Sequence, residues 1–126
     1  MAQKIKYING IRFYRALVVG INNLISRQDY LNQINVFPVP DGDTGTNLSL
    51  TLTSALEVTK ISDRKNLHKL LEMMAEALLD SARGNSGAIF AQFFQGLSDF
   101  SEGYNQFTVH SLSKAINQGY QYAYEA

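Results

Sequence analysis

Cysteine and tryptophan are absent from this chain of 126 residues, and proline occurs only twice. A chain without cysteine has neither a disulfide framework nor a thiolate zinc site, which agrees with an expected cytoplasmic location. Lysine and arginine together number 11, as do aspartate and glutamate, so the formal charges cancel. No basic stripe is present, and we therefore expect no nucleic-acid partner.

Long apolar runs are also missing. Arg12, Arg15 and Asn22 interrupt the apolar part of the N-terminal region. A signal peptide or a membrane span needs a longer uninterrupted apolar stretch, so we expect no transmembrane segment. The periodicity of this region instead predicts an amphipathic helix of a folded domain.

Helical periodicity recurs along most of the chain, and no convincing alternating strand pattern accompanies it. Asn9 is a plausible N-cap for a first helix over about 10–27, and Thr108 for the last one. The sequence predicts further helices over about 44–60 and 67–82, and a fourth one around residues 89–97. The segments 29–47 and 99–106 are expected to be loops. The predicted fold is therefore all-α, with about five helices and two glycine-rich junctions.

The first glycine-rich junction is acidic and reads NVFPVPDGDTGTN over residues 35–47. Asp41 and Asp43 flank Gly42, and a turn at this glycine brings the two carboxylates to one side. At about 5 Å and an effective dielectric constant near 20, they would repel each other by roughly 3 kcal/mol. Mg²⁺ removes this repulsion, because it prefers one or two carboxylates together with phosphate oxygens and water. Thr44, Thr46 and Asn47 add neutral polar groups at the start of the next helix.

Two other interpretations of this junction remain open. Asp-Gly-Asp before a helix also occurs as a plain turn with an N-cap. The spacing of Asp41, Asp43 and Gly45 faintly resembles a calcium-binding EF-hand loop, but Leu52 stands where that loop needs glutamate. The stiff Phe37-Pro38-Val39-Pro40 approach favours a preorganised metal site.

The second junction reads ARGNSGA over residues 82–88. Gly84 and Gly87 let the backbone approach a ligand closely, and Asn85 and Ser86 supply hydrogen-bonding groups; Asn85 is also a candidate N-cap. The alternative is a C-cap glycine followed by an N-cap asparagine. No P-loop and no Rossmann glycine pattern is present.

Together these two motifs closely resemble the N-terminal kinase domain of bacterial fatty-acid kinase A subunits. That domain belongs with DhaL, the nucleotide-binding subunit of dihydroxyacetone kinases. Ile8-Asn9-Gly10 and the late segment GYQYAY over 119–124 look similar to the same family. The resemblance implies an antiparallel, all-helical barrel of the DhaL type with the nucleotide at one end. It identifies residues 1–126 as the N-terminal part of this nucleotide-binding kinase domain, the remainder being expected beyond residue 126.

The resemblance also implies a site. Asp41 and Asp43 match acidic, catalytic positions that hold two Mg²⁺ ions on the phosphates of ATP or ADP. Asn35 is similar in place to a further aspartate of the DhaL branch and is expected to be a neutral metal ligand. The remaining expected nucleotide contacts lie in the two junctions, at Thr44, Gly45, Thr46, Asn47, Gly84, Asn85, Ser86 and Gly87.

The implied activity is ATP- and Mg²⁺-dependent phosphoryl transfer to a fatty-acid carboxylate, giving an acyl phosphate. A DegV-type fatty-acid-binding subunit would present the acceptor, and a homodimer is a further expectation. We expect the isolated fragment to be inactive. Two alternatives stay open: a DhaL-type dihydroxyacetone kinase subunit, and a non-catalytic Mg-nucleotide or lipid-binding module. Thr44 favours the fatty-acid branch, since DhaL proteins tend to have histidine there.

Overall fold

Six helices and one two-residue strand pair make up the described part of the chain. The structure is a computed structural model, and it describes residues 6–36, 42–59 and 65–126. The elements in chain order are β1 (Ile8–Asn9), α1 (Gly10–Ser26), α2 (Gln28–Gln33), α3 (Thr44–Thr59), α4 (Leu67–Ser81), α5 (Gly84–Phe100), β2 (Gln106–Phe107) and α6 (Val109–Glu125). The predicted all-α class is confirmed.

Three of the helices begin at side-chain caps. Asn9 Oδ1 accepts from the Arg12 N–H at 2.9 Å, which confirms the predicted cap of α1. Asn66 caps α4 in the same way, through the Lys69 N–H at 3.0 Å. Thr108 caps α6 and forms a capping box with Ser111. Each cap satisfies a backbone donor that the helix itself leaves unpaired.

The hydrophobic core lies where α4 packs between α3 and α5. The apolar positions of α4 recur at helical spacing, and this face is fully buried. The buried side chains that meet there include Leu52, Ala55, Leu67, Leu71, Met74, Leu78, Phe94 and Leu97. Burying such side chains is the main stabilising term of the fold, since each leucine, methionine or phenylalanine contributes about 1.5–3 kcal/mol before entropy is subtracted. Within the described ranges, no helix combines the length and the apolarity that crossing a bilayer requires.

The short strand pair closes the end of the bundle at which α1, α4 and α6 begin. β1 and β2 are antiparallel, with Ile8 opposite Phe107 and Asn9 opposite Gln106. Phe107 is fully buried. The Leu67 N–H also donates to the Asn105 carbonyl at 3.1 Å. The sequence did not predict these strands, because a two-residue strand is too short to show an alternating pattern.

The prediction that the segment 29–47 is a continuous loop was wrong. The first helix ends at Ser26, Arg27 leaves the helical conformation with φ −110° and ψ 14°, and α2 then runs from Gln28 to Gln33. Six residues are too few for a recognisable hydrophobic period. The predicted loop over 99–106 is also shorter, since α5 continues through Phe100. The expected end of α3 at Lys60 lies outside the described residues.

Helices α5 and α6 cross at two glycines. A Cβ atom added to Gly96 would lie 2.6 Å from Gly119 Cα, and one added to Gly119 would lie 2.8 Å from the Phe93 carbonyl oxygen. Beyond this crossing, the Tyr122 hydroxyl donates to Asp99 Oδ2 at 2.7 Å. That hydrogen bond, with burial and the charge of Asp99, raises the pKa of Tyr122 above its ordinary value of 10.0. The crossing therefore fixes α6 on α5 at backbone contact distance.

We predict that Gly96→Ala destabilises the α5–α6 contact, because the new methyl group overlaps backbone atoms that cannot move aside. Overpacking of this kind costs about 1–3 kcal/mol. Thermal unfolding of the natural full-length polypeptide should show a lower midpoint for the variant. Gly20→Ala is the matched control: nothing lies within 4 Å of its added Cβ atom, and alanine in a helix interior is more stable by about 0.5–1 kcal/mol. Equal midpoints for the two variants would contradict the close crossing.

Candidate functional site

The two glycine-rich junctions come together at one end of the bundle. A Cβ atom added to Gly84, the first residue of α5, would overlap the Asn47 side-chain nitrogen in the first turn of α3. One turn further along both helices, a Cβ atom added to Gly87 would lie 2.7 Å from Thr51 Oγ1. Helices α3 and α5 therefore begin side by side and run in the same direction from this end.

Gly84 has a second reason to be glycine. Its φ angle is +66°, a left-handed conformation that costs an L-residue with a side chain about 1–2 kcal/mol. The chain leaves α4 at Ser81 and enters α5 at Gly84, so it reverses over only two residues, Ala82 and Arg83. A glycine at this corner allows both the reversal and the contact with Asn47.

Asn35 holds the start of α3. Its side-chain oxygen accepts the backbone N–H groups of Asp43 and Thr44, both at 3.1 Å. A carboxamide oxygen has two lone pairs, and both are directed to these donors. The ligand role that the sequence predicts for Asn35 stays a prediction, and it would require this oxygen to give up at least one of the two hydrogen bonds.

Helix α2 holds the next residues of the same turn. Asn32 Oδ1 accepts the Thr46 N–H at 3.0 Å, and Asn32 Nδ2 donates to Thr46 Oγ1 at 3.0 Å. Gln28 Nε2 donates to the same hydroxyl oxygen at 3.3 Å. Gly45 makes this approach possible, because an added Cβ atom there would overlap the Gln28 carbonyl oxygen. The amide groups of Asp43, Thr44 and Thr46 are thus already bonded to protein side chains.

The start of α5 is different. Its N-cap is Arg83, whose side chain makes no capping hydrogen bond, and its first turn contains no acidic residue. Asn85, a candidate cap in the sequence, is the second residue of the helix instead, because the helix begins at Gly84. Gly84 and Asn85 are exposed, Ser86 is half-buried and Gly87 is buried. The partial positive charge of this helix end is therefore available to an anion.

The acidic pair is described only in part. Asp43 is half-buried immediately before α3, and its carbonyl oxygen accepts the Asn47 N–H at 2.8 Å. Gly42 adopts a φ of +70°, a left-handed conformation that glycine tolerates. Asp41 lies outside the described residues, together with the Phe37-Pro38-Val39-Pro40 lead-in. Asp43 and Asn47 are one helical turn apart, about 6 Å along the axis, so Asp43 lies one turn before the contact between Asn47 and Gly84.

This geometry suits a phosphate-containing ligand with a divalent cation. Asp43 offers carboxylate oxygens, and the first turn of α5 offers backbone N–H groups beside Asn47. A family sequence model described as the DAK2 domain matches residues 38–126, which include the second junction and the first from Pro38 onward.

The chain belongs to the DAK2 domain family. Membership makes it a kinase-related, nucleotide-binding module of the DhaL type, as the sequence resemblance implied. The residue roles within the junctions remain predictions.

Curated proteins of two Staphylococcus species are similar to this DAK2 domain over nearly its whole length. An uncharacterized protein of Staphylococcus epidermidis is 38% identical over 122 residues, which cover 97% of this chain and 22% of the relative. Uncharacterized proteins of two Staphylococcus aureus strains, USA300 and NCTC 8325, are similar to the same extent over the same shares. The chain therefore spans about a fifth of the length of these curated relatives.

The sequence did not single out three residues that build the site. Thr51 accepts the Arg83 N–H at 3.0 Å through its hydroxyl, while its carbonyl accepts from Ser81 Oγ at 3.2 Å. Thr51 is fully buried on α3, and a polar residue among apolar buried positions was the available signal. The roles of Gln28 and Asn32 could not be predicted, because the sequence did not predict helix α2.

A polar cavity of the DAK2 domain lies between α4 and α5. It has a volume of about 330 Å³, and its acidic lining includes Glu72, Glu76, Asp99 and Glu102. His68 at its edge contacts Ser101 Oγ at 2.8 Å and Glu72 Oε2 at 3.5 Å. Among residues 6–36, 42–59 and 65–126, no three His, Asp or Glu side chains are grouped so that they could hold a metal ion.

We predict that Thr51→Val loosens the junction between α4 and α5. Valine has nearly the same shape but leaves the Arg83 N–H without its acceptor, at a cost of about 1–2 kcal/mol. Hydrogen exchange measured by mass spectrometry on the natural full-length polypeptide should show faster exchange in a peptide covering residues 82–88. Thr53→Val, an exposed position of the same helix, is the control. No change in that peptide for Thr51→Val would show that the hydroxyl does not fix the junction.

Proposed function

We propose that this DAK2 domain binds Mg²⁺ and ATP for phosphoryl transfer to a fatty-acid carboxylate. The observation that carries the proposal is the meeting of two helix starts at Asn47 and Gly84, with Asp43 one turn away. Phosphoryl transfer depends mostly on positioning and charge neutralisation, which such a junction supplies. The acceptor and the DegV-type subunit that would present it come from the sequence resemblance.

The residues present fit a metal ion and a triphosphate. Asp41 and Asp43 would hold the two Mg²⁺ ions, because hard cations prefer carboxylate oxygens. When bound, Mg-ATP supplies the phosphoryl group that the acceptor oxygen takes, leaving ADP. The protein's part is to bind the phosphates, to orient them and to offset their charge.

The hydrogen bonds of the site indicate which junction would contact the phosphates and which would position the carboxylate. The Asp43, Thr44 and Thr46 amides are bonded to Asn35 and Asn32. We therefore assign most of the backbone contacts with phosphate to the first turn of α5, at Gly84, Asn85 and Ser86. The Gly87 N–H already donates to the Arg83 carbonyl at 3.1 Å, so the part we assign to Gly87 is to let a phosphate approach closely. Asn47 stands between the two junctions, and its side chain can bond a phosphate oxygen from the α3 side. Thr44, Gly45 and Thr46 then mainly shape the turn that carries Asp43, which we call the carboxylate end of the site.

Asp43→Asn should abolish phosphoryl transfer and remove the magnesium requirement of nucleotide binding in the natural full-length polypeptide. The substitution keeps the shape but deletes the charge that a divalent cation needs. Phosphate transfer from ATP and calorimetric titration with ADP, with and without Mg²⁺, measure the two effects. We expect Asp41→Asn to behave in the same way.

Asp99→Asn is the matched control for this experiment. Asp99 lies near the far end of α5, some 22 Å from Gly84 at 1.5 Å per helical residue, and asparagine retains an acceptor for Tyr122. Transfer by Asp99→Asn should stay at the wild-type level. Wild-type transfer by Asp43→Asn would refute the metal assignment.

The acceptor is tested separately, by offering the natural full-length polypeptide ATP with either a fatty acid loaded on a DegV-type subunit or free dihydroxyacetone. The resemblance at Thr44 leads us to expect transfer to the fatty acid alone. Transfer to dihydroxyacetone would favour the DhaL-type kinase subunit instead.

One structural feature favours a second candidate, a lipid-binding module. An apolar cleft of about 350 Å³ lies between α1 and α5. Its walls are mostly aromatic and aliphatic, and they include Phe13, Leu17, Leu24, Leu52, Phe90 and Phe94. Acyl-chain binding without transfer to either acceptor would support this module and count against the kinase.

A further inference from the structure

We infer that α2 supplies positioning residues for the carboxylate end of the site. Gln28 and Asn32, together with Asn35 just beyond the helix, form what we term the amide clamp of α3. The inference rests on the proposed function, because the clamp would matter only if Asp43 binds a metal ion. None of the three residues needs to touch the metal or the nucleotide.

The residues of the amide clamp bind the single turn from Asp43 to Thr46 at the start of α3. Asn35 Oδ1 binds the backbone N–H groups of Asp43 and Thr44. Asn32 binds both the N–H and the hydroxyl of Thr46, and Gln28 binds that hydroxyl again. Five hydrogen bonds of 3.0–3.3 Å therefore hold the turn from Asp43 to Thr46, three at backbone N–H groups and two at the Thr46 hydroxyl.

Close packing makes the clamp rigid. An added Cβ atom on Gly45 would overlap the Gln28 carbonyl oxygen and would lie 3.0 Å from Asn32 Oδ1. The first turn of α3 thus rests directly on the α2 backbone. Asn32 and Gln28 are half-buried, so their amide groups are held against Thr46 and partly withdrawn from competing water.

The expected benefit is preorganisation of the Asp43 carboxylate. If this turn were free, metal binding would have to order it and to overcome the repulsion of two carboxylates. Ordering the backbone of one residue corresponds to roughly a tenfold change in affinity. A clamp that orders the turn beforehand would therefore lower the magnesium concentration needed for nucleotide binding.

The test compares magnesium titrations of ADP binding by the natural full-length polypeptide and its variants, at a temperature where all are folded. Asn32→Leu keeps the size of the side chain and removes both of its hydrogen bonds to Thr46. We expect the magnesium concentration for half-maximal ADP binding to rise about tenfold. Gln28→Met removes one hydrogen bond to Thr46 and should raise this magnesium concentration about two- to threefold. It tests the inference even if Asn32→Leu does not fold.

Asn66→Ala is the matched control, because Asn66 caps α4 through the same kind of hydrogen bond, 3.0 Å long, at the other end of the bundle. It should lower the thermal midpoint and leave the magnesium titration unchanged. A lower midpoint with an unchanged magnesium titration in folded Asn32→Leu and Gln28→Met would mean that the clamp is structural only, and the inference would fall while the proposed function stood. Wild-type binding that needs no magnesium would overturn both.

Discussion

The first turns of α3 and α5 can lie side by side only because residues 84 and 87 have no side chain. At Gly84 a methyl group would overlap the Asn47 amide, and at Gly87 it would press on the Thr51 hydroxyl. Thr51 uses the same closeness to accept the Arg83 N–H. This contact sets where α5 starts relative to α3, and therefore relative to Asp43.

The starts of α3 and α5 differ in how their backbone N–H groups are satisfied. Side chains from the region of α2 satisfy the amides at the start of α3, whereas Arg83, the N-cap residue of α5, makes no capping hydrogen bond with its side chain. One start is therefore rigid and carries a carboxylate, while the other offers its backbone donors and partial positive charge to an anion. This division matches what a magnesium–phosphate ligand needs, and the nucleotide-binding character of the DAK2 domain family agrees with it.

Local signals in the sequence predicted much of the fold. Asn9 and Thr108 marked helix starts because a capping side chain acts on residues only three positions away. The stripe of Leu67, Leu70, Leu71, Met74 and Leu78 predicted α4 because it faces a single core. Helix α2 and the two-residue strands were missed, since elements so short complete no hydrophobic period.

The candidate site shows a different limit of sequence reasoning. Gly84 and Gly87 were predicted to let the backbone approach a ligand, and in the structure the side chains of Asn47 and Thr51 approach them. Asn47 meets Gly84, and Thr51 meets Gly87, across more than 30 positions of sequence. Such tertiary pairs produce no periodic pattern in the sequence. The contact of Asn32 with Thr46 could not be predicted either, because helix α2 was not predicted. The metal-binding role of Asp43 was predicted from its neighbours and stays a prediction, whereas the hydrogen bonds that hold its backbone were not predicted.

The most direct test of the account is to locate the metal ion. Crystals of the natural full-length polypeptide, grown with Mn²⁺ and a non-hydrolysable ATP analogue, would give anomalous difference peaks at the bound ions. The account predicts a peak at ligand distance, about 2.1 Å, from the Asp43 carboxylate, with the phosphates at the first turn of α5. A peak in the acidic cleft beside Glu72 and Asp99, or phosphates remote from Gly84, would contradict it.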